Sequence, residues 1–149
     1  VAVLVRPNKE LLEKIKFLKF NYYQLYDVSP YKTSEIKRKY KIKIITSITI
    51  KNYKDLKKYE DYRKVSDIIL FDGKGYEKSI GFDHSIIKHL PKGIKKMLAG
   101  DIKYNENLEK FKRITDIIDL SGSLETNGKK DFNKINIFLK KLRMINVKN

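Results

Sequence analysis

Three stretches near the end of the chain decide how it folds: KKMLAG (Lys95–Gly100), DIIDLSGSLE (Asp116–Glu125) and GKKDFNKINIF (Gly128–Phe138). In the first two, a short apolar run suited to a strand gives way to glycine and small residues. The third has the apolar spacing of a helix. Together they have the spacing of two successive strand–loop–helix units. Loops with few side chains leave backbone N–H groups free to face an anion at the start of the next helix. Gly100, Gly122 and Ser123 are the candidates, with Asp101 and Ser121 beside them. Ordinary turn chemistry is the competing reading.

The same alternation runs back to the start of the chain. Val1–Val5 (VAVLV) is a continuous apolar run, expected as a strand buried on both faces. Asn8 is placed to cap a helix carrying Leu11, Leu12, Ile15 and Leu18. Tyr22–Tyr26 (YYQLY) reads as a second strand, and Ser29-Pro30 as the N-cap and first position of a helix to about Tyr40. Ile42–Ile50 is a third strand, and Asn52 opens a helix with Tyr53, Leu56 and Tyr59. Asp67–Phe71 (DIILF) is a fourth strand, followed by a long loop over Asp72–Gly81 and a short helix from Asp83 to Leu90. Lys95–Leu98, a helix from Asn105, Ile117–Leu120 and a helix from Asp131 complete the pattern.

Strand thus alternates with helix six times, the period of βα units in a parallel α/β sheet. In an eight-stranded (β/α) barrel, phosphate is bound by the loops after the last two strands, which is where the glycine-bearing loops fall. A doubly wound open sheet has the same periodicity. No linker or low-complexity segment divides the chain, so residues 1–149 are read as one domain. Six units are two short of a closed barrel. Val1 is not Met and opens directly into a strand, so about two further βα units are expected before it.

Composition narrows the function. The chain has 149 residues and 41% apolar content, enough for a packed core. No apolar run approaches a membrane span and no secretory segment is evident. The absence of cysteine excludes a disulfide scaffold, a cysteine metal site and a cysteine nucleophile within these residues, and fits a cytoplasmic protein. The net charge of +16 raises a nucleic-acid surface as the rival function, testable by binding that falls steeply with salt. Against that reading, arginine, favoured for phosphate and base contacts, supplies only 5 of the 34 basic residues. Abundant Lys, Ile, Asn and Tyr share A/T-rich codons, so solvated lysine faces are the favoured explanation.

Asp72 follows an apolar strand at its C-terminal end, where barrel enzymes carry catalytic groups. Partial desolvation there raises a carboxyl pKa toward that of a general acid; a turn or cap Asp is the alternative. Gly73, Gly75 and Gly81 suggest a flexible following loop, in which Lys78 is an anion-contact candidate or a solvated cation. His84 and His89 are five apart on a predicted helix, which is not ligand spacing, and no metal is expected.

These stretches resemble the phosphoribosylanthranilate isomerase family. LFDGKGYEKSIGFDHSII (Leu70–Ile87) is similar to its "LLD…GG(T)G…FDW", MLAGDI (Met97–Ile102) to "LAGGL", and IDLSGSLETNGKKDFNKINIFL (Ile118–Leu139) to "VDVSSGVE…PGxKDxxKIxxF". YYQLYD (Tyr22–Asp27) resembles "VQLHG", and VAVLVRPNKELLEKI (Val1–Ile15) "VGVFVN…EEVLEI". The resemblance is in order along essentially the whole chain and makes these strands three to eight of the barrel. It implies an Amadori rearrangement of N-(5-phosphoribosyl)anthranilate in tryptophan biosynthesis, with no cofactor. The general acid falls on Asp72, the phosphate loops on Gly100, Asp101, Ser121, Gly122 and Ser123, and a pocket-lining role on Gln24. The implied partner is a small phosphorylated substrate, with no nucleic acid or membrane and a monomer or homodimer as the assembly. The family's cysteine base and its carboxylate-binding arginine, after strands one and two, have no match. Asp101 replaces the second glycine of "AGG", Tyr26 and Asp27 replace the His-Gly of "QLHG", and His84 stands for the Trp of "FDW". A family member that has kept the fold and lost activity is a further possibility.

Overall fold

The computed structural model describes residues 1–73, 81–91 and 93–147. Six strands, β1 (Ala2–Val5), β2 (Tyr22–Tyr26), β3 (Lys43–Thr49), β4 (Ile68–Asp72), β5 (Lys95–Leu98) and β6 (Ile117–Ile118), form one sheet in sequential order. Every neighbouring pair is parallel. Sequential order is not the doubly wound order, whose strand sequence reverses direction at a switch point. The expectation of a parallel α/β sheet of six strands is met.

Local chemistry explains the helix starts. Asn8 caps α1 (Lys9–Ile15) by accepting from Leu11 N–H at 2.8 Å. Ser29 accepts from Lys32 N–H to cap α2 (Pro30–Tyr40), with Pro30 in the first turn, where its missing N–H costs nothing. Asn52 and Asp55 form a reciprocal capping box on a 3-10 turn, Tyr53–Lys57, that runs into α3 (Lys58–Tyr62). Asp131 accepts from Asn133 N–H at 2.9 Å and Lys134 N–H at 3.2 Å, starting α4 (Phe132–Val147).

Two expected helices are shorter and tighter. The segment after Asp83 is a 3-10 turn, His84–His89; Pro91 holds Leu90 extended and stops it. The segment from Asn105 is a turn with only Leu108–Lys110 in 3-10 form. There Glu106 and Asn107 side chains take the N–H groups of Lys103 and Glu109, competing with a helix. The first strand is not buried on both faces: Val1 and Val3 are 63% and 60% exposed, and only Leu4 of β1 is buried. A hairpin not anticipated from the sequence, β7 (Glu125–Thr126) with β8 (Lys129–Lys130), turns at Asn127-Gly128, both at positive φ. The Asn-Gly pair is the signal for such a turn.

Strand alternation sorts the sheet into two faces. One packs under the helices through Leu4, Leu25, Ile44, Ile48, Ile69, Phe71 and Leu98. On the other, Tyr26, Ile45, Ile68, Leu70 and Ala99 form a separate apolar cluster. Register pairs Val3 with Gln24, Gln24 with Ile45, and Ile45 with Ile68, while Ser47, Leu70, Met97 and Ile117 form the next row. Thr49 and Asp72 pair above them, at the C-terminal ends of the strands. The face therefore carries Gln24 and Ser47 among apolar residues, with Thr49 and Asp72 at one rim.

Candidate active site

Asp72 is the last residue of β4 and is buried at 6% exposure, on the face opposite the helices. Its carbonyl accepts from Ile50 N–H at 2.8 Å, so the residue is fixed by the sheet itself and is not a turn or cap position. Gln24, in β2, is buried on the same face, and its Nε2 donates to the Tyr26 phenol oxygen at 3.2 Å. The phenol pKa is raised, first by burial and, among smaller influences, by the nearby charges of Asp72 and Asp119.

The loop after β5 comes back against β4. Ala99 N–H donates to Phe71 carbonyl at 2.9 Å. Gly100 has φ +91°, and a Cβ there would lie 2.9 Å from Gly73 N. A side chain has no room, and the loop sits directly beside the residue that follows Asp72. Asp101 also has positive φ, 58°, and its exposed carboxylate pairs with Lys103.

The loop after β6 holds the remaining candidates. Gly122 and Ser123 lie inside a 3-10 turn, Gly122–Leu124, closed by Leu124 N–H to Ser121 carbonyl at 3.1 Å. They do not stand at the start of the following helix, because the β7–β8 hairpin intervenes. Ser123 Oγ is buried with no hydrogen-bond partner among the described residues. Lys130, on β8, reaches back to the Ser121 carbonyl at 3.1 Å and so places an ammonium at this loop. The Gly75 and Lys78 candidates lie outside the described residues. Among the described residues no group of three or more His, Cys, Asp or Glu side chains is placed to hold a metal, and no helix is long and apolar enough to cross a membrane.

Residues 1–141 match the family model described as PRAI, N-(5'phosphoribosyl)anthranilate (PRA) isomerase. The chain belongs to this family. PRA isomerase of Petrotoga mobilis is 34% identical over 158 aligned positions, spanning 99% of this chain and 73% of the relative. That of Rhizobium johnstonii is 33% identical, spanning 93% of this chain and 67% of the relative. Among solved structures, the monomers generated from the dimeric Thermotoga maritima enzyme superpose with a TM-score of 0.77 at 21% identity, covering 95% of this chain and 71% of theirs. A PRA isomerase in complex with reduced 1-(o-carboxyphenylamino)-1-deoxyribulose 5-phosphate gives 0.73 at 23% identity, covering 95% and 70%. At that identity the structural match establishes the fold, an α/β fold like that of PRA isomerase.

Three residues matter here that were not singled out, or not for this role, in the sequence. Asp119 directly follows β6 much as Asp72 ends β4, with its N–H on Leu98 carbonyl at 2.8 Å. Its pKa is raised, chiefly by burial and then by the charge of Asp72, while Lys130 opposes the shift. The signal was present, since II-D after an apolar strand repeats IILF-D. Tyr26, which stands in the histidine position of the PRA isomerase pattern, is a buried phenol on this face. His84, in the tryptophan position, places its Nε2 2.9 Å from Gly100 carbonyl.

Proposed function

We propose that this chain forms the catalytic rim of a PRA isomerase of tryptophan biosynthesis, its six strands being strands three to eight of a (β/α) barrel completed by two further βα units. One observation supports this reading most: the glycine loop after β5 packs on Gly73, so a candidate anion-binding loop and a buried carboxyl share one end of the sheet. Phosphate held by amides at Gly100 and Asp101, and at Gly122 and Ser123 with Lys130 beside them, leaves the ribose within reach of Asp72. Gln24 lines the wall below.

In the reaction, Asp72 delivers its proton to the ribose ring oxygen, and the C1–O bond breaks as the anthranilate nitrogen forms a Schiff base. A base then removes the proton from C2, and the electron pair moves to give an enolamine. Tautomerisation yields the ketone, and Asp72 is returned to its acid form by the proton released. The family's cysteine base has no counterpart among these residues, which contain no cysteine. No metal or organic cofactor is required by this sequence of proton transfers.

Calorimetric titration with reduced 1-(o-carboxyphenylamino)-1-deoxyribulose 5-phosphate tests the reading. One site per chain, competed by inorganic phosphate, is expected. Absence of binding, or binding only to nucleic acid with a steep salt dependence, would refute it.

A further inference from the structure

We infer that His84 is a positioning residue that sets the direction of an anion-binding amide, that of Asp101; this rests on the phosphate reading of the loop after β5. His84 opens the 3-10 turn His84–His89, and its ring is half-buried between two others. Phe82 meets it edge-on at 4.7 Å and 85°, and Phe111 at 5.4 Å and 67°. Its Nε2 lies 2.9 Å from the Gly100 carbonyl oxygen. A carbonyl only accepts, so the proton is on Nε2 and the imidazole donates. Burial holds the His84 pKa below its ordinary value, which favours the neutral ring in that tautomer.

The peptide joining Gly100 to Asp101 is trans and planar, and no cis peptide occurs among the described residues. In a trans unit the C=O and the N–H point in opposite directions. Fixing the Gly100 oxygen on His84 therefore turns the Asp101 N–H to the side away from the imidazole. Among the described residues nothing accepts a hydrogen bond from that N–H. The unit is also braced, since a Cβ on Gly100 would come within 3.1 Å of the Phe82 ring and 2.9 Å of Gly73 N. A ring N–H, rather than mere aromatic bulk, is what this position supplies. The ligand class is a phosphate monoester, which the amide meets as a charge-assisted donor.

The test uses His84→Phe, which keeps the ring stacking and deletes the donor, and His84→Gln, which restores an N–H. Two probes are titrated: reduced 1-(o-carboxyphenylamino)-1-deoxyribulose 5-phosphate and its dephosphorylated counterpart. His84→Phe should weaken the phosphorylated probe about tenfold, the usual consequence of one lost hydrogen bond to a charged group, and leave the dephosphorylated probe unchanged. His84→Gln should recover most of that loss. Equal affinity of parent and His84→Phe for the phosphorylated probe overturns the inference, and so does an equal loss for both probes, which marks a structural role. A parent that does not prefer the phosphorylated probe refutes the phosphate reading itself and the inference with it. Nuclear magnetic resonance of the unsubstituted protein keeps the question open to refutation if His84→Phe does not fold. The Asp101 amide should shift on addition of inorganic phosphate, and an unresponsive amide overturns the assignment.

Discussion

Asp72, at the end of β4, and Asp119, directly after β6, lie close enough across β5 that the charge of one raises the pKa of the other. Burial is the larger cause at Asp119, so its carboxylate is costly to ionise in the folded protein. A carboxyl whose folded pKa exceeds its unfolded value loses stability as pH rises from the unfolded pKa through the folded one. Above that window the penalty is fully present. Asp119→Asn removes it and should raise the thermal midpoint at pH 7 while leaving it nearly unchanged at pH 3. Differential scanning calorimetry at the two pH values measures this, and a lower midpoint at pH 7 would contradict it.

Gly100→Ala should be destabilising by about 1–3 kcal/mol, because alanine at φ +91° is strained and its Cβ would collide with Gly73 N. The relieving movement would carry the loop away from β4. Denaturant unfolding gives the stability change, and affinity for inorganic phosphate should fall in parallel. Unchanged values in both would show that the loop has room that the packing denies.

Asp101→Gly should act in the opposite direction. The residue has φ 58°, which glycine adopts freely, and its carboxylate adds a negative charge beside the candidate anion site. Lys103 only partly offsets that charge, since the pair is exposed. Phosphate affinity is expected to rise by about threefold to tenfold, on the scale of a surface-screened charge, as read by competition against the reduced product analogue.

A pH effect remote from the site comes from Glu13 on α1, which accepts from Lys16 at the end of its own helix and from Lys39 and Tyr40 of α2. The Lys16, Lys39 and Tyr40 hydrogen bonds, in that order of weight, lower its pKa from 4.5 to about 2. A depressed carboxylate contributes stability above its unfolded pKa and loses it as pH falls toward the folded one. Glu13→Gln should therefore lower stability at pH 7 and make no difference at pH 2, measured by urea unfolding.

The periodicity of the chain is enough to read a parallel sheet with sequential βα units, because strands such as IKIITSITI (Ile42–Ile50) are rich in β-branched residues and the caps Asn8, Ser29, Asn52, Asp83 and Asp131 are local signals acting within three residues. Helix length was less legible. The segments after Asp83 and Asn105 tighten into 3-10 turns through Pro91 and through side chains that capture backbone N–H groups, effects that apolar spacing does not register. Asp72 could be placed because it ends an apolar strand. The role of Asp119 is not legible in the sequence because it depends on lying opposite Asp72 across β5, a relation between segments 47 positions apart. The spacing of His84 and His89 speaks only to metal binding, while the contact of His84 is to a backbone oxygen that no side-chain pattern reports.

Asp72 is the acid of the proposed mechanism, and asparagine is the substitution that isolates its proton. The amide matches the carboxyl in size and still donates a hydrogen bond, but it has no proton to give to the ring oxygen. In the protein that carries this chain, conversion of N-(5-phosphoribosyl)anthranilate is followed by the loss of anthranilate fluorescence. Asp72→Asn should leave the fold and the affinity for the reduced product analogue nearly as in the parent, and lower kcat by about two to four orders of magnitude, the usual contribution of a general acid. A kcat within tenfold of the parent would show that Asp72 is a structural strand-end residue and would remove the acid from the proposed mechanism.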